Sequence, residues 1–150
     1  TRVAKDGLIE AYVHPGAKVA SMVEVDCETD FVARTPDFKN LAHDLAMQVA
    51  AASPLYVGTE DVPPAVIEAK RDVWRLELAD QNKPPQVIDS IMQGKLAKFY
   101  EDVCLLQQPF IKDPSVKVGD LITALIAKLG ENIVVRRFAR FAIGEGAGEE

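Results

Sequence analysis

The chain has 150 residues, of which 48% are hydrophobic and 27% charged, a balance suited to one buried core in one domain. Its net charge of −6 argues against a primary nucleic-acid binder, which carries a basic footprint, and no apolar run approaches the ~20 residues of a membrane-spanning helix. The two cysteines, Cys27 and Cys104, are too few for a disulfide scaffold and are expected as reduced, buried thiols.

The opening segment TRVAKDGLIEAYV has neither a signal-peptide apolar stretch nor an initiator Met, and is expected to be a processed or trimmed start. Gly7 to Val13 and Val19 to Cys27 are rich in β-branched and aliphatic residues, with Pro15-Gly16 between them. That pattern predicts an antiparallel hairpin closed by a loop of about five residues. Val19, Ser21, Val23, Val25 and Cys27 share one face of the second strand, the better core candidate; Ala20, Met22, Glu24 and Asp26 share a mixed face.

Thr35-Pro36-Asp37 has the residue types of a helix start: a hydroxyl cap, a proline in the first turn and an acid at the positive end of the dipole. Phe38, Leu41, Leu45 and Val49 follow at helical spacing with Ala42 and Ala46. After SPLYVGTEDVPP, the run AVIEAKRDVWRLELADQ predicts an amphipathic helix with Val66, Val73 and Leu76 inward. Beyond NKPPQ, Gly94 is expected to divide a short helix from a longer one lined by Leu96, Phe99, Tyr100 and Val103. QQPFIKDPSVKVGD reads as a loop, LITALIAKLG as a short buried helix stopped by Gly130, and the run from Glu131 to Ile143 as a third strand. GEGAGEE, residues 144–150, reads as a flexible acidic tail. A hairpin, a helical block and a final strand indicate an α+β domain over residues 1–143, its three-stranded antiparallel sheet packed on the helices.

The local basic run Arg136 to Arg140 has Arg136 and Arg140 on one strand face and Arg137 on the other. It is expected to pair with Glu10, Glu24 or Asp26 across the sheet rather than to bind phosphate. An enzyme would have to be built from Cys27, Glu28, Asp30 and His43. His43 lies about two turns into its helix, and nothing in the pattern brings it to Cys27 as a nucleophile–base pair requires. His14 and His43 are far apart, no His or Cys pair has metal-ligand spacing, and no phosphate-cradling glycine loop lies between a strand and a helix. No catalytic residue, metal or cofactor is therefore assigned.

What remains is the stretch VEVDCETDFVARTPDF, where a strand stops and a helix begins around Asp30-Phe31. In one reading Phe31 folds into the core and Thr29 caps a one-turn helix. In the other, Val32 and Ala33 pack inward and Phe31 points out as an anchor for a partner's pocket.

The same stretch, continued to Val57, closely resembles the signature region of the elongation factor Ts family. GKLAKFYEDVCLLQQPFIKD and IAKLGENIVVRRFARF also match that family in order and spacing, so the resemblance covers about residues 7 to 143. It implies a guanine-nucleotide exchange factor for elongation factor Tu in translation elongation, acting in protein biosynthesis without making or breaking a covalent bond. It implies that Thr29, Asp30, Phe31 and Val32 meet the GTPase, with Asp30-Phe31 entering near its magnesium and switch region so that GDP leaves. The family's small N-terminal helical module is missing here, which points to a weaker-binding fragment. The single core resembles the family's short form, in which two copies associate through their sheets. Met22, Phe138 and Ala142 are the expected residues of such a homodimer face, and Ala46, Met47 and Val49 those of a secondary contact with the GTPase. The compartment implied is the bacterial cytoplasm, with a plastid or mitochondrial matrix as the alternative, and no membrane or direct nucleic-acid contact. The alternative function is a non-catalytic interaction domain of the same fold in an organellar translation apparatus.

Overall fold

The computed structural model describes residues 3–146; the part of the acidic tail after residue 146 lies outside the described residues. Strands β1 (Asp6–Val13) and β2 (Val19–Cys27) form the expected hairpin, with Asp6 opposite Cys27 and Val13 opposite Ala20. The C-terminal strand, Ile133–Ala142, adds antiparallel to the other side of β2, giving an antiparallel sheet with β2 at its centre. One glycine is compulsory in this sheet. Gly7 has φ of 137°, and a Cβ there would stand 2.2 Å from the Val25 carbonyl oxygen, a position no side chain can share.

After β2 comes α1 (Asp30–Ala33), a single turn, and then α2 (Pro36–Ala52). Helix α2 lies across the inner face of the sheet. Phe38, Leu41, Leu45 and Val49 meet Val23, Val25 and Cys27 in one continuous core. The spacing i, i+3, i+7, i+11 gives that helix one apolar stripe, and β2 offers the alternate residues that the sequence marked as its core face.

The rest of the helical block is α3 (Pro64–Leu78), α4 (Pro85–Val103) and α5 (Val118–Leu129). Three expectations change here. Val73 is 51% and Leu76 76% exposed; Val66 is half-buried as expected, and the less exposed side of α3 continues from it through Ile67, Arg71, Trp74 and Leu78. Helix α4 runs unbroken through Gly94, because a glycine in a helix interior weakens the helix without stopping it. The segment after α4 is not all loop: β3 (Pro109–Phe110) and β4 (Asp113–Lys117) form a small hairpin. Helix α5 begins at Val118 and ends where Gly130 adopts φ of 73°. It is half-buried along much of its length, with Val118 and Ile122 fully inside.

The strand after it, now β5, holds a bulge. Val25 pairs with Val135 while Glu24 pairs with Arg137, so one residue of β5 is extra. The extra residue shifts the alternation. Arg136 Nε donates to Asp26 Oδ2 at 3.0 Å and Arg137 Nε to Glu24 Oε1 at 2.8 Å, both on the outer face of the sheet. Arg140 alone turns inward, donating from Nε to the Ala50 carbonyl in the last turn of α2 at 3.1 Å, where a cation suits the negative end of the dipole. The expectation that Arg136 and Arg140 share a face is thus corrected, and the expected pairing with Glu24 and Asp26 is observed. Glu10 stands opposite Val23 on the inner face, away from those arginines.

The bulge also separates the three residues expected on one sheet face. Met22 is opposite Ala139 on the outer face, whereas Phe138 is opposite Val23 and packs on the core, and Ala142 is opposite Val19. The outer face carries Ile9, Val13, Met22 and Phe141 instead, each more than half exposed.

Candidate partner-binding site

At the junction of β2 and α1 the chain exposes Phe31 and buries its neighbours. Phe31 is 81% exposed, while Val32 is 5% and Ala33 4%. A one-turn helix places successive side chains about 100° apart, so seating Val32 and Ala33 in the core leaves Phe31 facing outward. Of the expected run Thr29, Asp30, Phe31 and Val32, the first three are at the surface, and Val32 is the internal anchor.

The turn is firmly tied. Thr29 Oγ1 caps α1 by accepting from the Val32 N–H at 3.3 Å, and the buried Cys27 thiol donates to the Thr29 carbonyl at 3.1 Å. At the other end of α1, Thr35 Oγ1 donates to the Val32 carbonyl at 2.8 Å and accepts from the Phe38 N–H at 3.3 Å, coupling α1 to the start of α2. A third tie comes from far along the chain. The Glu131 carboxylate accepts from the backbone N–H groups of Glu28 and Thr29, both at 3.1 Å, and from the Thr29 hydroxyl at 2.7 Å. Glu28 answers by accepting from the Asn132 N–H. Nothing in the local sequence signalled Glu131; only the return of β5 beside β2 brings it there.

Asp30, in the first turn of α1, pairs with Arg34 at 2.7 Å on an open surface. Exposed pairs of this kind are worth about 0–1 kcal/mol, so a partner can displace the arginine at small cost. The site has a bare phenyl ring, one exchangeable carboxylate and a backbone that cannot easily rotate. That arrangement can wedge into a pocket.

The residues of the enzyme reading are dispersed. Cys27 is fully buried, and burial pushes its thiol above the ordinary range, opposite to what a nucleophile needs. His43 is exposed on α2 and rests edge-on against Tyr12 with centroids 6.0 Å apart. Cys104 is likewise buried and pushed up to about 11 by desolvation. Of the expected secondary contact, Ala46 and Val49 have no exposure and belong to the core. Met47 is half-buried in a shallow groove with Tyr12, Val19 and Ile111. Among the described residues no helix is long and apolar enough to cross a membrane.

Comparison with known proteins shows the family of the chain. The family model described as Elongation factor TS matches residues 1–124. The chain is 56% identical over 144 residues to Elongation factor Ts of Herpetosiphon aurantiacus, covering 96% of this chain and 73% of that protein. It is 52% identical over 145 residues to Elongation factor Ts of Carboxydothermus hydrogenoformans, covering 97% and 67%. The corresponding protein of Caldanaerobacter subterraneus is also 52% identical, at 97% and 72% coverage. With more than half of its length matched by the family model, and with relatives of this identity, the chain belongs to the elongation factor Ts family.

Proposed function

We propose that this chain is a guanine-nucleotide exchange factor for elongation factor Tu, and that Asp30 and Phe31 are the residues it inserts near the GTPase's magnesium and switch region. The observation carrying the reading is the 81% exposure of Phe31 beside the buried Val32 and Ala33. A large apolar ring held out of its own core by a fixed backbone loses little entropy on docking. The process requires no covalent step. The bacterial relatives favour the bacterial cytoplasm over an organelle matrix.

An exchange factor works by binding the nucleotide-free GTPase more tightly than the loaded one; equal affinity for both moves nothing. The coupling is reciprocal, so the factor weakens nucleotide binding by the factor with which nucleotide weakens its own. A shift of ~10⁴-fold takes about 5.5 kcal/mol, and burying one phenyl ring supplies roughly 1.5–3 kcal/mol. Phe31 therefore needs a second contact. A second copy joined through the outer sheet face, where Ile9, Met22 and Phe141 are exposed, doubles the surface offered to one GTPase.

The test is release of fluorescent GDP from elongation factor Tu. The wild-type chain accelerates release, and Phe31→Ala loses about 10- to 100-fold of that acceleration. Equal release with wild type, with Phe31→Ala and with no factor refutes the proposal.

A further inference from the structure

We propose that Glu131 is the positioning residue for Phe31: its carboxylate holds the turn that aims the ring, from a point in the sequence about a hundred residues away. The inference rests on the exchange reading of the Asp30-Phe31 site.

Glu131 lies between the end of α5 and the start of β5. The left-handed conformation of Gly130 ends the helix, and its N–H closes on the Ile126 carbonyl at 2.9 Å. The next residue is thereby turned toward the strand-to-helix junction opposite. There its two oxygens divide the work. Oε1 accepts from the N–H groups of Glu28 and Thr29, and Oε2 accepts from the Thr29 hydroxyl. A hydroxyl has one proton to give. Giving it to Glu131 leaves the Thr29 oxygen turned to accept from Val32 N–H. The carboxylate thus selects the rotamer in which Thr29 caps α1. Helix α1 has only four residues, Asp30 to Ala33, far below the length at which a helix is stable unaided. Its orientation depends on its cap and on what it packs against, and Phe31 is its second residue.

The chemistry suits a carboxylate in particular. Three donors converge on it, and an ionised carboxylate is all acceptor. An amide in its place keeps one oxygen for the backbone N–H groups but offers the Thr29 hydroxyl a donor, which removes the reason for that hydroxyl to point its proton away from Val32. Thr29 is exposed and Glu131 half-buried, so water can replace the lost bonds and the core below is spared. The effect of removing Glu131 falls on where Phe31 points rather than on whether the domain folds.

The experiment is stimulated GDP release from elongation factor Tu over a range of factor concentrations. The factors are wild type, Glu131→Ala, Glu131→Gln, Phe31→Ala and the double variant Glu131→Ala with Phe31→Ala. Amide hydrogen exchange is followed at Val32 and Ala33. Glu131→Ala is expected to lower the saturating release rate about tenfold, the scale of a lost charge-assisted hydrogen bond. Glu131→Gln falls between it and wild type. The double variant releases GDP no more slowly than Phe31→Ala alone, because a misaimed ring has nothing further to lose. The Val32 and Ala33 amides exchange faster in Glu131→Ala while the amides of β2 and α2 keep their protection. Wild-type release by Glu131→Ala, losses that multiply in the double variant, or unchanged exchange at Val32 each overturn the assignment. If Phe31→Ala itself releases GDP at the wild-type rate, the exchange reading fails, and the Val32 amide still decides separately whether Glu131 holds the turn.

Discussion

The side-chain amide of Gln48 donates to the side-chain oxygen of Gln108 across 3.2 Å, and both residues are shut away from solvent. Gln48 also donates to the Pro109 carbonyl at 3.1 Å and accepts from the Ile111 N–H at 2.9 Å. The Gln108 amide group donates to Ala52 and Asp102 carbonyls at 3.2 and 3.1 Å, at the C-terminal ends of α2 and α4. Those carbonyls have no partner within their helices, so one buried amide closes two helix ends while its neighbour fastens β3 to α2. Replacing Gln48 by Leu keeps the volume roughly and strands the Ile111 N–H and the Gln108 oxygen. The expected loss is about 2–4 kcal/mol of unfolding free energy in urea. A loss below about 1 kcal/mol would mean that water enters and satisfies these groups instead.

Gly94 offers the opposite case. It sits in the interior of α4, exposed, with nothing within 4 Å of where a Cβ would stand. Gly94→Ala therefore adds no clash and removes backbone freedom from the unfolded chain, and is expected to stabilise by about 0.5–1 kcal/mol. Calorimetry that shows a lower unfolding temperature for the variant would indicate that the helix needs to bend at this point.

These two glutamines and this glycine mark where the sequence could and could not be read. Strand, helix and cap signals are local: the alternation in Val19–Cys27, the stripe of α2 and the Thr35-Pro36 start all correspond to observed elements. Gln48 lies within that stripe as a polar residue, and only the return of Gln108 and Pro109 from about sixty positions away explains its burial. Val73 and Leu76 fitted an amphipathic pattern, yet which side of α3 faces inward is set by α4 and not by α3's own period. The bulge in β5 is a matter of register, which alternation alone does not fix; it sent Phe138 and Ala142 inward and left Phe141 outside. At the candidate site an outward Phe31 beside inward Val32 and Ala33 was one of two readings the sequence allowed and is the one observed, whereas the Glu131 contacts were not legible, since they form only across the sheet.

The outer sheet face makes the second contact of the exchange reading testable. Ile9, Val13, Met22 and Phe141 are 62%, 60%, 52% and 75% exposed on one side of a twisted sheet, and two such faces can stack about 10 Å apart. The chain is expected to sediment as a dimer at micromolar concentration, and Met22→Lys with Phe141→Glu as a monomer of unchanged fold. A wild-type chain that remains monomeric at the highest soluble concentration removes the second copy from the proposal and leaves the Phe31 site untouched.

The charge ladder at one edge of that face has a defined pH signature. Burial, and next the neighbouring Glu24, push the Asp26 carboxyl above its ordinary 3.8, with Arg136 acting against both. Glu24 moves the other way, below 4.5, because Asp26 and then Arg137 hydrogen-bond to its ionised form. For Asp26 the folded state prefers the proton. Its contribution to stability is complete below 3.8 and is lost as pH climbs through the raised folded value. For Glu24 the contribution is present above 4.5 and is lost as pH falls through the lowered folded value. Asp26→Asn cannot ionise and keeps an oxygen for Arg136. Its stability relative to wild type should therefore rise as pH increases from 3.8 and then level off, whereas that of Glu24→Gln should fall up to 4.5 and then level off. Urea unfolding at a series of pH values measures both curves. A difference for Asp26→Asn that shrinks with rising pH would show that Arg136, and not desolvation, governs this carboxylate.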